Sequence, residues 1–180
     1  MKSNVQVMTD SAGHKIVVLP EIIFKNKQNI DWKAVEAYLR RYVGEIITIV
    51  ETQDVVYIGS AFPEEFKGSK YTKRLKGANA KVKANAAQGI TKMLEIATDK
   101  RFKENREEKH SEDAGNGWYY YTTRFAMPIY ENEIKTDNYN VFSACLLVNH
   151  AENGKMYLYD LVDIKREART PLTISELTPW

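Results

Sequence analysis

Three histidines, one arginine inside a strand-like run and a dense block of lysines are the residues in this chain best suited to chemistry. His14, His110 and His150 are far apart in sequence, with neither an HxxxH pair nor a His/Asp cluster. That spacing gives little support to a transition-metal site, and no metal or cofactor is expected. Asp160 and Asp163 stand three apart in a strand-like run, and alternation sends them to opposite faces rather than into a two-carboxylate clamp. Arg124 closes the run Tyr119, Tyr120, Tyr121, Thr122, Thr123. An arginine there must find an anion, because burying it unpaired is costly. Either a strand carboxylate holds it, or its planar fork serves a phosphate.

Residues 67–94 carry Lys67, Lys70, Lys73, Arg74, Lys76, Lys81, Lys83 and Lys92 and no acid, although the whole chain is only +2. A polyphosphate would compensate such a block, since neutralising phosphates releases condensed counterions. A solvated helix face is the plainer explanation. The residues that remain suit metal-free RNA cleavage, which needs a base for the 2′-hydroxyl, an acid for the 5′-oxygen and cations for the phosphorane. His110, expected in a loop before the first long strand, is a candidate acid or base. His150 is expected at a strand end against Tyr157. His14, with Lys15 beside it, becomes an RNA contact if its hairpin grips a substrate. Tyrosines on an open sheet face would stack unpaired bases, while most are expected in the core.

Several elements must position these groups. Residues 5–8 and 16–19 read as an N-terminal hairpin, which must pack on the body or wait for a partner because a lone hairpin is marginal. Asp31 caps a helix over 32–43 that buries Trp32, Val35, Tyr38, Leu39 and Tyr42. Residues 46–50 and 55–58 form a second hairpin, 72–88 a helix breaking near Gly89, and 90–97 another. Residues 100–113 read as a solvated helix end or loop. Strands follow over 118–130, 139–150 and 155–164, the last two joined at Asn153 and Gly154. A two-residue turn there sets His150 opposite Tyr157. Residues 165–180 carry little pattern. The expected fold is α+β, with helices on one face of an antiparallel C-terminal sheet. It divides into a hairpin appendage (1–25), a main domain (26–167) and a tail (168–180).

The bulk numbers fit one domain of 180 residues. No apolar run approaches the ~20 residues that span a bilayer. No charged-then-apolar leader opens the chain, which argues against secretion. A single cysteine, Cys145, excludes an internal disulfide and reads as a core thiol. A bacterial cytoplasm is the expected compartment, with no membrane partner.

The runs IGSAFPEEFKGSKYT (58–72), LKGANAKVKANAAQGI (75–90), EKHSEDAGNGWY (108–119), RFAMP (124–128) and HAENGKMYLYD (150–160) resemble a module of Firmicute phages and conjugative elements. That module is similar to the barnase–EndoU–colicin–RelE-like nuclease superfamily, and the resemblance covers about residues 45–167. In size and layout the chain also resembles type II-A anti-CRISPR proteins that disable Cas9 by truncating its guide RNA. The resemblance implies RNA cleavage, with guide RNA and possibly Cas9 as partners. The positions it carries over are His110, Arg124, His150, Lys155 and Tyr157. Tyr120 and Asn149 stand where relatives are expected to have arginine, which counts against a catalytic role for either. The competing expectation is a non-catalytic inhibitor that binds RNA or the Cas9–RNA complex through its basic surface.

Overall fold

Asp10 makes the first reversal. Its carboxylate accepts from the backbone N–H of Ala12 (3.0 Å) and His14 (2.9 Å), an Asx-type turn that joins β1 (Gln6–Thr9) to β2 (Lys15–Val18). The computed structural model describes residues 4–26, 28–104, 114–167 and 171–180. The hairpin packs on the body, the first of its two expected fates. Val17 and Leu19 enter the core on the helix side of the sheet, while Ile16 and Val18 enter a second apolar cluster.

Asp31 caps α1 (Trp32–Leu39) by accepting from Ala34 N–H, and a 3₁₀ turn continues it through Arg40–Tyr42. Val35 and Leu39 are its buried residues. The short hairpin β3 (Ile46–Thr48) and β4 (Val55–Tyr57) follows. The lysine-rich stretch is broken further than its alanines suggest. It forms α2 (Phe62–Gly68), α3 (Lys70–Lys73), α4 (Ala78–Ala86) and α5 (Ile90–Glu95). Ser69 interrupts it by capping α3 through its own side chain.

Residues 100–103, the described start of the stretch expected as a helix end or loop, belong to strand β5 (Thr98–Lys103), exposed along its length and paired with β6 (Trp118–Glu131). Its charged side chains hide the strand in the sequence, as edge strands commonly do. β6, β7 (Ile134–His150) and β8 (Met156–Arg166) form the expected meander. The sheet order is β10-β1-β2-β6-β7-β8-β4-β3, with β5 on β6 and β9 (Leu172–Thr173) on β7; β10 is Thr178–Pro179.

The expected antiparallel sheet is in fact mixed, because β2 runs parallel to β6 and β4 parallel to β8. Those partners lie more than a hundred residues apart for β2 and β6 and about a hundred for β4 and β8, so no turn encodes them. Helix side chains such as Phe62, Phe66, Ile90 and Met93 pack with Tyr121, Phe125, Leu146 and Leu161 on one face. On the other face, C-terminal Leu172, Ile174 and Leu177 meet Ile16, Val18, Ala126 and Val141. Thr173 and Glu176 form a reciprocal cap on the short turn between β9 and β10. The C-terminal residues are thus ordered by this second cluster. Cys145 is not a core thiol. It is half-buried with Arg101 Nη2 3.3 Å from its sulfur, and burial pushes its thiol up.

Candidate active site at the β5–β6–β7 end

β6 begins beside Gly117. Its φ is +97°, and a Cβ there would come 2.5 Å from Phe102 Cε2 and 3.0 Å from Lys103 O. Only glycine allows both the turn and the close approach, and so lets β5 close over the start of β6. The Phe102 ring then lies 5.3 Å from the Tyr119 ring. The His150 ring lies 5.7 Å from the same tyrosine, and Lys100 Nζ lies 4.4 Å from its centroid. The His150 backbone accepts from Asn116 N–H and donates to Gly117 O, both at 2.9 Å. Its Nε2 stands 3.3 Å from Gly154 O.

Beneath them, Asp54 Oδ2 receives Lys100 Nζ at 2.9 Å and the Tyr121 hydroxyl at 2.6 Å. Burial alone would raise the Asp54 carboxyl, but hydrogen bonds from Tyr121 and Lys100 outweigh it and hold the group below the ordinary carboxylate range. Burial and the same Asp54 bond push the Tyr121 phenol far up, so it remains a donor. The result is an imidazole and an ammonium on one tyrosine, with a carboxylate fixing the ammonium. An imidazole takes and gives protons near neutral pH, and a positioned cation stabilises a phosphorane.

The hairpin between β7 and β8 differs in register from the two-residue turn. Gly154 N–H donates to Ala151 O (3.0 Å) and Ala151 N–H to Lys155 O (2.9 Å), and Gly154 has φ +84°. This is a three-residue loop with glycine in the left-handed position. It sets His150 opposite Met156, and Asn149 opposite Tyr157. Tyr157 therefore leaves the opposite face from His150, with its ring 5.8 Å from Tyr57. Lys155 Nζ stands 5.1 Å from the Tyr57 centroid. His150, Tyr157 and Lys155 share one end of the sheet but not one face.

Arg124 belongs to another place. Its Nε and Nη2 bind the Glu167 carboxylate at 2.8 and 3.0 Å, and Nη1 binds Asp10 Oδ2 at 2.9 Å. The bond to Glu167, followed by that to Asp10, raises its pKa against the opposing effect of burial. A structural salt bridge therefore accounts for Arg124, with carboxylates from the β1–β2 turn and from just past β8 rather than from within a strand, and it ties the first hairpin and the end of β8 to β6. It lines a cavity of about 510 Å³ with His14, Lys15, Glu51 and Glu95. Lys15 Nζ also sits 4.1 Å over the Trp180 ring. Arg124 lies six residues along β6 from Trp118, the partner of Asn149, about 20 Å at strand rise. The candidate set is thus split between two ends of the sheet. His110 lies outside the described residues.

The basic block disperses as well. Lys83 is no surface contact: its side chain is 1 % exposed and its Nζ lies 2.7 Å from Asp160 Oδ1, with Asp160 fully buried. Lys67 is paired to Glu36 at 2.6 Å and Lys92 to Glu95 at 3.5 Å. Lys70 lies over the Tyr71 ring at 5.3 Å. Lys81 lines a groove of about 860 Å³ with Lys25 and Arg166, beside the start of α4. Lys70, Lys73, Arg74 and Lys76 remain as an exposed cluster around α3. Asp160 is buried and Asp163 exposed, with a break in the β7–β8 register at Asp163.

Lys100 and Asp54 were invisible as site residues. Lys100 reaches the site only through the pairing of Phe102 with Tyr119, which is tertiary and left no signal in the sequence. Among the described residues no group of three His, Cys, Asp or Glu side chains could hold a metal ion, and no helix is long and apolar enough to cross a membrane. No family model, curated protein or solved structure matches this chain.

Proposed function

We propose that this protein is a metal-independent endoribonuclease of a mobile genetic element, acting on single-stranded RNA at the β5–β6–β7 end of its sheet. The observation that carries the reading is the placement of His150 and Lys100 against the one Tyr119 ring. His150 takes the proton of a 2′-hydroxyl as its oxygen attacks the adjacent phosphorus. The P–O5′ bond breaks, a 2′,3′-cyclic phosphate forms, and the imidazolium returns the proton to the 5′-oxygen. Lys100 faces the charge that builds on the phosphorane. Phe102, Tyr119, Tyr57 and Tyr157 offer surfaces for stacking unpaired bases. The resemblance to guide-RNA-truncating anti-CRISPR proteins makes Cas9 guide RNA the substrate proposed, in the cytoplasm of a bacterial host.

A second reading has its own support. Arg124 is occupied by two carboxylates and the exposed cations gather around α3, which suits binding to RNA or to the Cas9–RNA complex without cleavage. Labelled guide RNA incubated in EDTA, with and without Cas9, separates the two. Truncation by the native chain and none by His150→Ala is the expected result. Intact RNA in every lane, with salt-sensitive binding, supports the inhibitor instead, and absence of binding refutes both.

A further inference from the structure

β3 closes the end of the sheet beyond β4, and its outward face is bare. Ile46 stands opposite Tyr57 and Thr48 opposite Val55, so these four side chains leave one face, while Ile47 and Val56 enter the core on the other. Ile46 is 58 % exposed and Val55 42 %, with Val43 at 36 % and Val50 at 44 % before and after the strand. These are four of the eight large apolar side chains exposed among the described residues. Aliphatics scattered singly over a surface need no explanation, but a group gathered at one end of a sheet does.

The chain treats β5 differently. That strand pairs with β6 alone and carries Asp99, Lys100, Arg101 and Lys103, the usual guard on an edge. β3 reads Ile-Ile-Thr, with no charge inside it. Ile47 serves the core. Outward Ile46 gives the fold little that a threonine would not, since threonine suits a strand as well. The outward aliphatics mark a surface kept for something outside the chain.

Charge narrows the occupant. Residues 43–57 hold Glu45, Glu51 and Asp54 and no lysine, arginine or histidine, in a chain whose net charge is +2. Lys100 takes Asp54. Glu45 and Glu51 are exposed, and among the described residues neither has a cation; Glu51 accepts only from Asp99 N–H at 3.1 Å. Lys155, over the Tyr57 ring, stands on the β8 side of the patch. The two carboxylates repel RNA phosphates. A second copy would present the same patch and set these acids against their own kind. A partner with cations beside an apolar stripe meets both features.

We infer that the outward face of β3 and β4 docks a cationic amphipathic helix of another protein, with its apolar stripe on Ile46 and Val55 and its lysines or arginines toward Glu45 and Glu51. Such a helix forms on this face the layer that helices form on the other, and an amphipathic helix on an apolar surface is a common mode of peptide recognition. The inference does not depend on RNA cleavage.

The probes are two labelled peptides of about fourteen residues, roughly four turns, with leucines on one helical face and either lysines or glutamates on the other. Each is titrated with the full chain and followed by fluorescence anisotropy. The lysine peptide should bind saturably with a Kd of roughly 10–100 μM, weak because the patch is smaller than a standard interface, and about ten-fold or more tighter than the glutamate peptide. Ile46→Thr with Val55→Thr, which keeps β-branched residues in both strands, should weaken it about ten-fold. Ile134→Thr, at a side chain 70 % exposed at the start of β7, should change nothing. Glu45→Gln with Glu51→Gln should weaken binding several-fold and flatten its salt dependence. Equal affinity for the two peptides overturns the inference, as does an equal loss from Ile134→Thr. A dimer in sedimentation that Ile46→Thr with Val55→Thr abolishes assigns the face to a second copy instead, and a fall in oligoribonucleotide affinity in that variant assigns it to RNA; either overturns it. The comparison of peptides on the native chain decides the matter even if that variant fails to fold.

Discussion

Replacing Lys83 by methionine should destabilise this protein without changing how it meets RNA. Lys83 comes from the basic block, yet its ammonium is held inside the core. Asp160 Oδ1 lies 2.7 Å away and accepts from Leu161 N–H at 2.8 Å, while Asp160 Oδ2 accepts from the Ser69 hydroxyl at 2.5 Å. Burial pushes the Lys83 ammonium down and the Asp160 carboxyl up, and each charge counters the other's shift. Removing only the lysine strands a carboxylate with no exposed surface. That costs about 3–5 kcal/mol, a fall of roughly 6–20 °C in midpoint for a chain of this size. Lys83→Met with Asp160→Asn removes both charges and keeps an acceptor for Leu161. It should return to within about 2 kcal/mol of the native chain, since replacing a buried pair is often nearly neutral. Urea unfolding followed by circular dichroism at neutral pH measures all three, with an unchanged slope required for comparison. If Lys83→Met loses less than about 1 kcal/mol while RNA affinity falls steeply and salt dependence weakens, the reasoning is wrong and Lys83 reaches the surface after all.

Other outcomes follow from the same geometry. His150→Ala should lower guide-RNA cleavage by about 10²- to 10⁴-fold, the usual worth of a proton-transfer group, with gel-shift affinity retained; unchanged cleavage refutes the site. Removing residues 1–20 takes away Ile16, Val17 and Leu19, each fully buried. At roughly 1.5–3 kcal/mol apiece, against a typical total of about 5–15, the truncated chain should lose its cooperative urea transition. In acid, Asp10 sets the sign. Burial raises its carboxyl, but the His14 N–H and Arg124 together hold it below its ordinary value. A lowered folded pKa adds stability above about pH 4 that is lost as the pH falls through the folded value, and Asp10→Asn should flatten that part of the stability curve. Changing Lys70, Lys73, Arg74 and Lys76 to glutamine should reduce the salt slope of RNA binding by about 0.7 for each cation that meets a phosphate; an unchanged slope means those side chains meet none.

Local rules made part of this molecule legible. Asp31 and the spacing of Val35 and Leu39 are enough to place α1, and the apolar runs around Asn153 and Gly154 are enough to place β7 and β8. The turn residues did not fix the register, because Asn-Gly serves both a two-residue and a three-residue loop, and one extra residue moves His150 from Tyr157 to Met156. β5 was obscured by its charges, and β9 and β10 by their shortness.

The sequence by itself determined the α+β class, the N-terminal hairpin, the central meander and the excess of cations in one segment, since each depends on neighbours a few residues apart. Tertiary structure alone decided that the sheet is mixed, that Lys83 neutralises a core aspartate, that Arg124 is claimed by Glu167 and Asp10, and that Lys100, held by Asp54, and His150 both meet the Tyr119 ring. Each of those ion pairs joins residues some forty or more positions apart. A charge carries no record of its partner until packing and the loss of water select one.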